Sequence, residues 1–150
     1  MERPGGGMVP ILATALAAGL MAGCRSFEKD WSEVRRGSFP PDPRGISGAW
    51  TGTWQNTNNT HGGPLRAVLW RVEEREYRAR FHAVWGHRSG SFSTTLRGGW
   101  TNDVFVFEGR RRILGVPIRT TGRATATNLD SGYDSPLDRG TFTLGRRASD

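Results

Sequence analysis

From Ile46 onward, apolar and polar residues alternate with a period of two, the spacing of strands that bury one face. Tyr77, Ala79, Phe81, Ala83 and Trp85 alternate with Arg78, Arg80, His82 and Val84. Trp50, Gly52 and Trp54 share one face, opposite Ala49, Thr51 and Thr53. Phe92, Thr94, Leu96, Gly98 and Trp100 continue the pattern, and further strands are expected at 65–72, 104–108, 113–118, 121–127 and 140–144. No long helical pattern interrupts these segments, so parallel crossovers are not expected. About eight short strands separated by turn residues predict an all-β antiparallel meander, either a small up-and-down barrel or a strongly curved sheet.

The apolar parity places Trp50, Trp54, Phe81, Trp85, Phe92, Trp100 and Phe142 inside. An eight-stranded barrel is just wide enough for side chains to fill it or for one small ligand. Those aromatics predict a mostly solid core, while Gly52, Ala79, Ala83 and Gly98 share the same parity and leave a hollow if they cluster. Pro117 cannot donate to a ladder, which predicts an edge or a bulge there. Residues 65–72 are apolar on both faces and need an outer cover.

The segment before the strands offers one. Phe27, Trp31 and Val34 fall at i, i+4 and i+7, the face of a short helix that Ser26 can cap and Gly37 can end. A membrane surface is the other candidate cover. Residues 38–45 hold three prolines and predict a stiff extended spacer, so the folded domain is expected at 46–147, followed by a tail at 148–150.

Farther upstream, residues 9–22 (VPILATALAAGLMA) carry no charge and are too few for a membrane span, which needs about 20 apolar residues. They lead into Leu20-Met21-Ala22-Gly23-Cys24, where small side chains precede the chain's one cysteine. This resembles the lipobox of lipoprotein signal peptides, with Met21 where leucine is commonest. The resemblance implies a signal peptide at 1–23, a diacylglyceryl group on the Cys24 sulfur, cleavage before Cys24, and acylation of the new amine, as by palmitate. Residues 24–45 then form a lipidated tether. Arg25 stands where an aspartate would favour inner-membrane retention, so the outer membrane is the expected address.

Removing 23 of 150 residues leaves enough chain for one domain. The formal charge of +7 is carried almost wholly by arginine, with Lys29 the single lysine. Export turns this positive charge away from nucleic acid and toward membrane phospholipid, anionic lipid or glycan. A solvated arginine-rich surface is the alternative reading.

Candidate chemistry is sparse. His61 lies in the polar loop 56–63, His82 between two arginines on an outward face, and His87 in an expected turn, with no metal-ligand spacing among them. Asp130, Asp134 and Asp138 fall in an expected loop at 128–138 whose spacing is not that of a calcium loop and reads as turn-forming. No nucleophile elbow, phosphate-binding loop or zinc-protease motif occurs, and no cofactor is expected. Arg110, Arg111 and Arg112, placed in an expected turn, can clamp a phosphate. With His61 they are the candidate rim-binding residues.

Two resemblances bear on the fold. Gly48-Ala49-Trp50 and Gly52-Thr53-Trp54 look like the opening strand of lipocalin, fatty-acid-binding and avidin-like barrels. Residues 48–54, 61–66, 77–82 and 138–144 together resemble a family of small secreted β-proteins and lipoproteins of unassigned function from planctomycete-type bacteria. That family implies the fold and supplies no catalytic residue. The expected function is a lipid-anchored, non-enzymatic envelope protein with a binding or structural role. The alternatives are a small envelope-polymer hydrolase using His61 and loop carboxylates, or a carrier of an apolar ligand.

Overall fold

A helix and eight strands make up the computed structural model, which describes residues 20–39 and 41–146. Helix α1 (Leu20–Arg35) precedes β1 (Gly48–Asn56), β2 (Gly62–Glu73), β3 (Glu76–Trp85) and β4 (Arg88–Thr101). Then follow β5 (Val104–Ile113), β6 (Val116–Ala124), β7 (Asn128–Asp134) and β8 (Arg139–Arg146). Each strand pairs antiparallel with the next, and β8 returns to β1 from Trp50↔Arg146 to Asn56↔Gly140, closing the barrel. The expected all-β meander is therefore a closed up-and-down barrel.

Connections after odd-numbered strands gather at one end, here the loop end, and those after even-numbered strands at the other. The opposite end is capped by the chain entering β1. Asp42 accepts hydrogen bonds from the backbone N–H of Arg44, Ile46 and Ser47, from the Ser47 hydroxyl and from the Tyr77 hydroxyl. Burial alone would raise the Asp42 pKa, but these donors outweigh it and hold the carboxyl below its usual range. The segment expected to be an extended spacer thus turns back on the barrel at Asp42–Gly45. Arg146 seals the same end, its guanidinium 4.5 Å from the Trp50 ring centroid.

The interior is filled. Trp50, Tyr77, Phe81, Leu96, Phe105, Leu129 and Leu144 are at most 2 % exposed and belong to one packed cluster. Phe81, Phe92, Phe142 and Tyr133 stack toward the loop end, and Tyr77, Trp100, Phe105 and Phe107 toward the other. The inward glycines mark close strand approach rather than a hollow. A Cβ at Gly52 would stand 1.9 Å from the Thr143 carbonyl oxygen, and one at Gly98 1.9 Å from that of Val106.

Helix α1 covers the outer face of β2 and β3. Phe27 and Trp31 are buried there against Val68, with Val34, Ala49, Phe39 and Trp70 around them. Glu28 pairs with Arg66 at 2.5 Å, and Asp30 pairs with Arg80. Gly37, at φ +75°, ends the helix in a Schellman turn, where the Ser38 N–H reaches the Glu33 carbonyl and the Gly37 N–H reaches that of Val34. The apolar stripe thus sits where the two-faced strand needed a cover. Its helix does not start at Ser26, however. It runs back to Leu20, with Leu20, Met21 and Ala22 the good helix formers of that first stretch. Residues 1–19 of the expected signal peptide lie outside the described residues. Among the described residues, no helix is long and apolar enough to cross a membrane.

Three strand expectations are corrected. Residues 113–118 and 121–127 are not two strands, since one strand, β6, spans most of both and the turn lies at Leu114-Gly115. The expected loop at 128–138 contains β7, whose inward Leu129, Ser131 and Tyr133 alternate with outward Asn128, Asp130 and Asp134. Arg110, Arg111 and Arg112 stand on β5, not in a turn. Pro117 pairs with Arg112, but the β6–β7 ladder begins only at Arg119, so proline occupies a local edge within a closed barrel.

Candidate functional site

The ladder between β4 and β5 is the shortest in the barrel. It joins only Arg97–Thr101 to Val104–Glu108. Beyond it, residues 88–96 pair with β3 alone and residues 109–113 with β6 alone, so the two strands diverge toward the loop end. The Arg111 guanidinium crosses this opening to the Ser93 carbonyl. An open cleft of about 700 Å³ follows the seam, walled by Arg78, Arg80, Arg97, Arg110 and Arg111 with Glu108 the one carboxylate lining it.

Three of those arginines already have partners. Arg80 pairs with Asp30, Arg97 with Glu76, and Arg110 with Glu108, which Arg119 also reaches. The two guanidinium groups hold the Glu108 carboxyl below its usual range. Arg78 has no carboxylate within salt-bridge distance among the described residues. A second open cleft, about 640 Å³, lies across the β5–β6 hairpin and shares Arg110 and Arg111, adding Arg112, Arg119, Asp134 and Arg139. The hairpin carrying all three expected rim arginines is therefore a cationic tongue between two grooves. Such guanidinium groups favour anionic oxygens, with charge-assisted and often bidentate geometry.

His61 lies elsewhere on the loop end, exposed in the β1–β2 loop, and neither cleft includes it. Its neighbour is Asp138, which is only 4 % exposed. Burial raises the Asp138 pKa, while hydrogen bonds from Asn56 and from the Arg139 N–H, together with the field of His61, oppose the rise. Asp138 Oδ2 and the Tyr133 hydroxyl are buried without a protein partner. Burial, and then the charge of Asp138, push the Tyr133 phenol up. Asn56 and Asp138 fasten the β1–β2 and β7–β8 loops together, and Thr57 N–H to the Arg139 carbonyl adds a second tie. His61 acts on Asp138 through its field, with no hydrogen bond between them such as a hydrolase pair would make. The carboxylate is already engaged with Asn56 and the backbone.

His82 departs from its expected exposed position. Its outward parity is as read, but Phe27 stacks on it at 5.1 Å and leaves it 8 % exposed. Burial, then the nearby Arg66 charge, lowers its pKa, with Glu28 partly opposing, and its Nδ1 pairs with the Ser91 hydroxyl at 2.8 Å. It belongs to the helix seat. His87 stays exposed in the β3–β4 turn. Among the described residues, no group of three His, Cys, Asp or Glu is placed to hold a metal ion.

No protein-family model, curated protein or solved structure matches this chain. Its functional reading rests on these residues.

Proposed function

We propose that the protein is a lipid-anchored component of the cell envelope, held by acyl chains on Cys24, that works by binding anionic groups on its outer arginine surface. It acts without catalysis and without an internal ligand. The observation that carries this reading is the combination of a filled interior with an open arginine-walled seam between β4 and β5. A carrier needs interior volume of about 300 Å³ or more, and the aromatic stacks occupy that space. In this reading the outer membrane is the site, since Arg25 follows the lipid-bearing residue. The apolar residues 9–22 direct export, and cleavage leaves Cys24 at the head of α1.

The test is a nuclear magnetic resonance titration that follows the arginine Nε and tryptophan indole signals. Polygalacturonate and anionic phospholipid micelles should shift the Arg78, Arg110 and Arg111 signals and leave the Trp50 indole unmoved. A fatty acid that shifts Trp50 and Trp54 in a saturable manner, with the arginines silent, would establish the carrier reading instead.

A further inference from the structure

The geometry points to a particular seat for the barrel: its loop end lies against an anionic phospholipid surface, with Leu114 and Leu137 dipping into the headgroup layer and the surrounding arginines on the phosphates. This rests on the lipid anchor proposed above and names the surface that the same end meets.

The first argument is tether length. Phe27 lies three residues on from Cys24, at most about 11 Å of fully extended chain and about 5 Å as helix. Phe27 is fully buried, stacked on His82 and beneath the Arg66 guanidinium. His82 stands three residues from Trp85, the last residue of β3, or about 10 Å along the strand. At the other end of the covering segment, Phe39 packs on Trp70, seven residues farther from the loop end than Gly63. The helix therefore points its N-terminus toward the loop end. Acyl chains on Cys24 with α1 docked draw the bilayer to that end and no other.

The second argument is what the end presents. Four large apolar side chains of the described barrel are exposed: Val106 at 51 % on the wall, Val72 at 49 % near the far end of β2, and the two at the loop end, Leu114 at 68 % on the β5–β6 turn, the most exposed of them, and Leu137 at 49 % on the β7–β8 loop. Leu114 also stands at φ +49°, a conformation that costs a leucine energy and that turns ordinarily give to asparagine or glycine. The β4–β5 turn at the opposite end shows the ordinary choice, Asn102 at φ +54°. A leucine kept both wet and strained at a hairpin tip calls for a partner that covers it.

The third argument is charge. Residues 55–65, 82–91, 109–119 and 133–141 form the loop end and hold six arginines, Arg88, Arg110, Arg111, Arg112, Arg119 and Arg139, against Asp134 and the buried Asp138. The rest of the barrel sets eight arginines against six carboxylates in a longer stretch of chain, and one of those carboxylates, Glu108, pairs with Arg110 and Arg119 from just below the loop end. Apolar tips within a cationic collar match the two layers of an anionic bilayer surface, and juxtamembrane basic residues add attraction to its negative potential.

The test uses the lipidated protein in vesicles, with an environment-sensitive NBD fluorophore on an introduced cysteine: Leu114→Cys, Leu137→Cys, or the wall control Val106→Cys. Cys24 is the chain's one cysteine, so an anchored chain takes a single label. In phosphatidylglycerol-rich vesicles, positions 114 and 137 should show blue-shifted, brightened emission and 106 should stay water-like. Arg110→Ser/Arg111→Ser/Arg112→Ser in the 114-labelled chain should abolish most of the shift. Water-like emission at 114 and 137 with one label per chain would overturn the seat while leaving the anchor intact. Two labels per chain would overturn the anchor and the tether argument with it. Labels that ignore vesicles but shift with polygalacturonate would assign this end to a glycan and overturn the lipid assignment.

Discussion

Replacing Phe27 with alanine should release α1 from the barrel without unfolding the barrel. Phe27 is fully buried, yet everything it touches is on the outer wall or on α1 itself: Val68, His82, the Arg66 guanidinium and Trp31. Truncating a buried phenylalanine costs about 3–5 kcal/mol. What holds the helix is of similar size. Burying Phe27 and Trp31 contributes about 1.5–3 kcal/mol each. The half-exposed Glu28–Arg66 pair adds about 1 kcal/mol or less. Helix ordering opposes these terms, and the part of α1 that remains after cleavage before Cys24, Cys24–Arg35, is short enough to be marginal in water when standing alone. Loss of Phe27 is thus comparable to the whole docking energy, while the barrel keeps its own core. Hydrogen exchange should show protection lost across residues 27–36 and kept across Tyr77–Trp85. The His82 pKa, lowered in the docked state by burial and by Arg66, should return toward the ordinary histidine range. The docked form binds fewer protons at His82, so docking is strongest above pH of about 6.5 and weakens as pH falls below it. Retained helix protection in the variant, or joint loss of helix and barrel in one transition, would refute the reasoning.

Other perturbations test the barrel. Asp42→Ala removes the acceptor of Ile46, Ser47 and Tyr77 and should cost about 3 kcal/mol in chemical denaturation, since orphaned buried donors cost about 1–3 kcal/mol each. Because the folded Asp42 pKa is lowered, its contribution is full above the usual carboxylate range and fades as pH drops below it; the gap between the parent protein and the variant should narrow toward pH 3, and a constant gap would contradict the network. Gly98→Ala would put a Cβ 1.9 Å from the Val106 oxygen within the short β4–β5 ladder. It should destabilise by at least about 3 kcal/mol, the upper end for overpacking, with exchange at Val104–Phe107 accelerated first; an unchanged melting temperature would contradict the close approach. Trp54→Ala should cost about 3–5 kcal/mol, because it empties core volume and strips the Val84 carbonyl of its indole donor. A loss below about 1 kcal/mol would place Trp54 outside the core.

What the sequence disclosed follows from which physical rule governed each residue. Tyr77 to Trp85 was legible because large apolar residues alternate with charged ones, and parity alone then assigns the faces. β7 was not, because Asn128, Asp130, Ser131, Gly132 and Asp134 are turn formers by local chemistry, and only neighbours on both sides make them a strand. The β5–β6 turn is not legible from local chemistry, since Leu114 occupies a left-handed position that leucine rarely takes. The helix stripe was legible as a stripe, but its seat over His82 depends on which wall the helix reaches. The arginine run was visible. Its cleft was not, because the seam is set by where the β4–β5 register stops, at Arg97↔Glu108. The buried Asn56–Asp138 tie joins residues 82 apart, which no local pattern encodes.

The anchor can be examined directly by mass spectrometry of the N-terminal peptide from protein extracted out of the native membrane. The account predicts a peptide that begins at Cys24, lacks residues 1–23, and carries diacylglyceryl on the sulfur with an acyl group on the amine. An unmodified Cys24, or a mature chain that begins anywhere else, would contradict it.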